Sequence, residues 1–144
     1  MGIVMDFQER QRHKQLDFER RALQDLSFEK IEKAIHRSFD LFIPAIPSGG
    51  GIALEMCAEY ALEAFLLGSS MSRFGFYGEN RETAYERCEA SFARLLDDFC
   101  DFWQFWMPED TRLSDLRQSC ERYLREWWTD GFETSLKRWK LKLR

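Results

Sequence analysis

From Phe28 onward the apolar positions fall three and four residues apart, which is the spacing of a helix with one buried stripe. Phe28, Ile31, Ile35, Phe39 and Phe42 form the first clean stripe. Ser27 stands where an N-cap is wanted, and Glu29 lies in the first turn, where the helix dipole favours an acid. Pro44 and Pro47 require that helix to stop near Ile43. Before it, residues 5–26 read as a thinner, more polar helix. Phe7 and Phe18 lie on one side, with Met5, Leu16 and Leu23 nearly opposite, a pattern that predicts loose docking.

After the break "IPAIPSGGG" (43–51), a helix is predicted over 52–67. It is apolar almost all round, so it belongs at the centre. "GSSMSRFGFYGEN" (68–80), with three glycines, reads as a long loop. A further helix starts near Asn80 or Thr83, where "TAYE" has capping-box form. It carries the seam Tyr85, Cys88, Phe92, Leu95, Phe99, Phe102 and Trp106, and Pro108 ends it. That 3-4 alternation suits bundle packing and makes 83–106 the longest predicted wall. The last helix begins between Asp110 and Ser114, with Leu113, Leu116, Cys120, Tyr123, Leu124 and Trp127 on its stripe. Phe132, Leu136, Trp139 and Leu143 then continue in a different phase, which predicts a bend at "TDGF" (129–132). The expected fold is all-α: a single-domain bundle of five or six helices over residues 1–144.

Composition agrees with a packed globule, at 44% hydrophobic and 32% charged residues. Asp6, Glu9 and Arg10 interrupt any apolar stretch after Met1, so no signal peptide is expected. The most apolar segment, 52–68, contains Glu55, Glu59 and Glu63 and is shorter than the roughly 20 residues of a bilayer span. The four cysteines, Cys57, Cys88, Cys100 and Cys120, form no C-x-x-C pair, so buried reduced thiols in a cytoplasmic protein are expected. The net charge of −4 is uneven: residues 43–110 hold twelve acids and four bases, whereas 111–144 hold nine bases and five acids. Such an asymmetry serves packing within one molecule or attraction to another.

Three places invite chemistry. Glu55, Glu59 and Glu63 share one helix face and, with His36, make a candidate ligand or metal set. Carboxylate-bridged metal sites pair such glutamates with Glu-x-x-His motifs, which are absent here. Isolated carboxylates more often face solvent. Gly49, Gly50 and Gly51 precede a helix and so form a candidate anion cradle, although no lysine follows as a P-loop requires. The basic end "LKRWKLKLR" (136–144) complements the helix dipole, and neither nucleic acid nor peripheral membrane contact is expected of it. No nucleophile motif accompanies the two histidines, so no catalytic residue or cofactor is expected. The leading reading is a non-enzymatic interaction or regulatory module, and the alternative is a small-ligand or carboxylate-metal-dependent enzyme with its site near the glutamate ladder.

The aromatic run "FCDFWQFWMP" (99–108) divides on a helical wheel. Phe99, Phe102, Trp103 and Trp106 share the seam, whereas Phe105 lies between the directions of Asp98 and Asp101. Phe105, Asp98 and Asp101 are therefore the candidate contact for a protein partner or for self-association. Finally, "RHKQLDFERRALQDLS" (12–27) resembles the start of the uncharacterised YbaK-type family of small helical proteins from Bacillus and related bacteria, which is distinct from the tRNA deacylases sharing that name. Arg12, Lys14, Gln15, Glu19, Arg20, Leu23, Leu26 and Ser27 carry the likeness. It implies a small helical bacterial protein and carries over no functional residue.

Overall fold

The computed structural model describes residues 27–46 and 51–142. The helix predicted over 5–26, Gly49 and Gly50, and Leu143 and Arg144 lie outside the described residues. Five α-helices and no strand occupy the described residues: α1 (Phe28–Phe39), α2 (Gly51–Phe76), α3 (Arg81–Arg87), α4 (Glu89–Trp106) and α5 (Leu113–Lys142). A single 3-10 turn, Ile43–Ala45, follows α1, with Pro44 in its first positions. The all-α bundle expected from the spacing is the fold observed.

In α1, Ile31, Ala34, Ile35 and Phe39 are buried, but Phe28 is 82% exposed and leaves the predicted stripe. Ser27 is the N-cap residue by backbone geometry, although its side chain makes no capping hydrogen bond. α2 is central and touches all four other helices. It runs well beyond the predicted end at Leu67, so most of the 68–80 stretch is helix rather than loop. The stop comes at Gly78, whose φ of +107° suits glycine. There the Glu79 N–H donates to Phe74 O and the Gly78 N–H to Gly75 O, a Schellman closure.

Asn80, not Thr83, caps the next helix, its side-chain oxygen accepting from the Thr83 N–H at 2.8 Å. The predicted long wall is broken at Cys88 into α3 and α4, so the longest helix is α5, at 30 residues. No bend interrupts α5 at Gly131. Its buried positions run Leu116, Cys120, Tyr123, Leu124, Trp127, Trp128, Gly131, Phe132, Ser135, a continuous seam. The change of phase came from leaving out Gly131 and Ser135, small residues that are buried without being apolar bulk.

α2 and α5 run parallel in a steady register. The Tyr123 hydroxyl donates to Cys57 O at 2.7 Å, the Ser135 hydroxyl to the Ser69 hydroxyl at 2.9 Å, and Trp139 Nε1 to the Ser72 hydroxyl at 3.1 Å. The backbones approach closely because both crossing residues are glycines. A Cβ on Gly68 would stand 1.9 Å from Trp128 O, and one on Gly131 would stand 2.1 Å from Phe65 O. α4 runs antiparallel to α5, with the Trp128 indole donating to Cys88 Sγ at the top and Arg117 paired to Asp97 lower down. α1 is also antiparallel to α5, placing Phe39 against Phe99, Trp103 and Tyr123. The lower end of the bundle therefore holds the C-termini of α1 and α4 and the N-termini of α2 and α5. The upper end holds the C-termini of α2 and α5.

Candidate functional site

The interior is filled by rings. Trp103, Trp128, Tyr123, Phe39, Phe65, Phe92 and Phe99 are fully buried. All four cysteines are buried and unpaired. Burial pushes the Cys57 and Tyr123 pKa values up, so both groups stay neutral inside the bundle. Every described Asp, Glu, Lys, Arg and His is exposed or partly exposed. Among the described residues, groups for charged chemistry therefore lie on the surface.

One flank of that surface is strongly acidic. Tyr60 of α2 lies over Phe99 of α4, ring centroids 4.7 Å apart. Its pKa is raised first by burial and then by the charges of Asp98, Glu63, Glu59 and Asp101. Two sets of residues singled out separately in the sequence thus meet around one tyrosine: Glu59 and Glu63 from α2, and Asp98 and Asp101 from α4. Tyr60 was missed, because alone on a nearly all-apolar helix it reads as core. Among the described residues none of these four carboxylates forms an ion pair.

Phe105 sits one turn beyond Asp101 on α4 and is 78% exposed. Its ring meets Trp106 edge-on, centroids 5.0 Å apart. Phe99 and Trp103 are buried, whereas Phe102 and Trp106, expected in the same seam, are half-buried. Leu41, Ile52 and Leu113 add exposed apolar side chains at the same lower end.

The remaining candidates fall elsewhere. Glu55, Glu59 and Glu63 are all exposed. His36 is exposed on α1, with its Nδ1 2.9 Å from Asp40 Oδ1. Among the described residues no group of three or more His, Cys, Asp or Glu side chains is arranged to hold a metal ion. Gly51 is exposed at the start of α2, and a Cβ built on it would meet nothing within 4 Å. An open groove between surface side chains of α5 is lined by Gln118, Glu121, Arg122 and Arg125. Arg125 there is already engaged, stacked over the Tyr85 ring at 4.1 Å.

At the upper end, Trp139 lies against Phe76, centroids 5.9 Å apart, while Tyr77 and Leu141 are exposed. Lys137, Lys140 and Lys142 crown that end. The nearby carboxylates of Glu79 and Glu133 are taken by Arg87 and Arg81. No helix of the described residues is long and apolar enough to cross a membrane.

The fold and surface define a class: an all-α bundle with a ring-packed interior and its charges on the outside, acidic on one flank and basic at one end. Comparison with known families is more specific. The chain belongs to the family described as "Protein of unknown function (DUF2521)", whose model matches residues 1–144. It is similar to a Bacillus subtilis (strain 168) protein named "Uncharacterized protein YbaK", 28% identical over 147 residues and covering the whole of both chains. The resemblance drawn from residues 12–27 extends over the full length. No solved structure matches the chain.

Proposed function

We propose that the protein is a non-enzymatic interaction module of the bacterial cytoplasm, docking a basic protein segment on the acidic flank beside Phe105. The observation that carries this reading is Phe105 itself, a large ring 78% exposed one turn beyond Asp101 on α4. Interfaces use such aromatic anchors for affinity and surrounding charge for steering and selectivity. The ring-packed interior of the described residues supports the reading. Four reduced, buried cysteines fit a reducing compartment, and the similar Bacillus protein supports a bacterial setting.

Affinity capture from the native cell, using the wild type and Phe105→Glu, tests the reading. The variant should lose the specific partner, and identical captured sets would overturn the proposal. The competing reading of the same flank is a carboxylate-held metal or ligand at Glu59 and Glu63. Stoichiometric metal on the purified protein, lost in Glu59→Gln with Glu63→Gln, would favour that reading instead.

A further inference from the structure

The two charged surfaces of this molecule match each other. The flank formed by α2 and α4 offers Glu59, Glu63, Asp98 and Asp101 around Tyr60, with Phe105 as the exposed ring at its lower edge. The upper end offers Lys137, Lys140 and Lys142 beside the exposed Leu141 and Tyr77. Among the described residues neither set forms internal ion pairs. The parallel course of α2 and α5 keeps them apart. Both helices end at the top, so the lysines of α5 cannot fold down onto the flank of their own molecule.

We propose that the segment docked on the acidic flank is the basic upper end of a second copy of this chain. This rests on the reading of that flank as an interaction surface and names its partner. Lysines at 137, 140 and 142 would meet the four carboxylates, while Leu141 and Tyr77 give the Phe105 ring apolar and aromatic area to cover. The contact joins unlike patches, so it either repeats from copy to copy or closes as a reciprocal pair. Charge sets the attraction, so association weakens as salt shortens the screening length.

Sedimentation velocity across a range of protein and salt concentrations tests this. The wild type should self-associate with rising concentration, and salt should reverse it. Lys140→Glu with Lys142→Glu, which cancels the positive charge of the upper end, should stay monomeric. Asp98→Lys with Asp101→Lys, which cancels the charge of the flank against Glu59 and Glu63, should also stay monomeric. An equimolar mixture of the two variants should regain association, because the lysine variant keeps the acidic flank and the aspartate variant keeps the basic end. That recovery also shows that both variants are folded. A wild type that remains monomeric throughout overturns the proposal, as does association indifferent to the charge reversals or no recovery on mixing. If the wild type is monomeric yet Phe105→Glu abolishes capture of a different protein, the flank is an interaction surface and only the second-copy assignment fails. Binding of the monomeric wild type to vesicles of anionic phospholipid, lost in the lysine variants, would likewise overturn it and assign the upper end to membranes.

Discussion

A methyl group at position 131 would stand 2.1 Å from the carbonyl oxygen of Phe65, and one at 68 would stand 1.9 Å from that of Trp128. Neither oxygen can retreat, because each is fixed in a helix backbone. Gly68→Ala and Gly131→Ala should each lower stability by about 1–3 kcal/mol, the usual range for overpacking. That outweighs the roughly 1 kcal/mol by which alanine is the better helix former. At Gly75 the obstacle is the tip of the Phe132 ring at 2.6 Å, which can turn aside, so Gly75→Ala should cost less. Gly51→Ala, with nothing within 4 Å, should stay within about 0.5 kcal/mol of wild type. Urea unfolding of the four variants checks the order. The same glycines explain what the pattern of large apolar residues left out. Gly68 read as the start of a loop and Gly131 as a break, since a glycine in sequence looks the same whether the chain turns there or another helix presses against it. Phe99, Trp103 and Phe105, by contrast, were legible one by one, because their positions on the helical wheel separate ring from carboxylate.

At the scale of elements, the turn between α2 and α3 is tied by a clasp. Arg87 donates from Nε to Glu79 Oε2 at 2.8 Å, with its guanidinium also bonded to Oε1, and it covers the Phe74 ring at 4.2 Å. The hydrogen bonds from Arg87 hold the Glu79 carboxyl below its ordinary pKa. A folded-state pKa below the unfolded one contributes stability above the unfolded value, and that contribution is lost as pH falls through the folded value. Glu79 followed by NMR should titrate below an ordinary glutamate, and Arg87→Ala should return it to the ordinary range. An unshifted Glu79 in the wild type would remove the clasp. The clasp was not legible, because Glu79 and Arg87 belong to different elements and the predicted loop placed Phe74 outside any helix. The interruption at Cys88 was hidden by the seam itself. Cys88 fits the spacing, but its backbone leaves helical geometry, at φ −114° and ψ 15°, while its sulfur accepts from the Trp128 indole.

For the whole molecule, helix content, the centrality of α2 and the uneven charge were all present in the sequence. The parallel pairing of α2 with α5 was not. It depends on Ser69, Ser72 and Ser135, polar residues that are buried only because they bond to each other and to Trp139 and Gly131. The candidate flank was legible in pieces, as a glutamate ladder and an aspartate pair. Their meeting around Tyr60 follows from how α2 and α4 pack, which spacing along one helix does not encode.

The α2–α5 contact also sets an order of events during synthesis. Cys57 and Tyr123 are 66 residues apart in the chain, as are Ser69 and Ser135. The most apolar helix among the described residues thus waits for its principal partner until α5 has left the ribosome. Contacts so distant in sequence close slowly, and bare apolar surface invites association in the meantime. A chain ending at Arg112 should aggregate on expression, and it should regain solubility when residues 113–144 are supplied as a separate polypeptide, as measured by the soluble fraction after co-expression. Ribosome pausing within the codons of α5 would then expose α2 longest, making the synthesis of α5 the stage at which this protein most needs a chaperone.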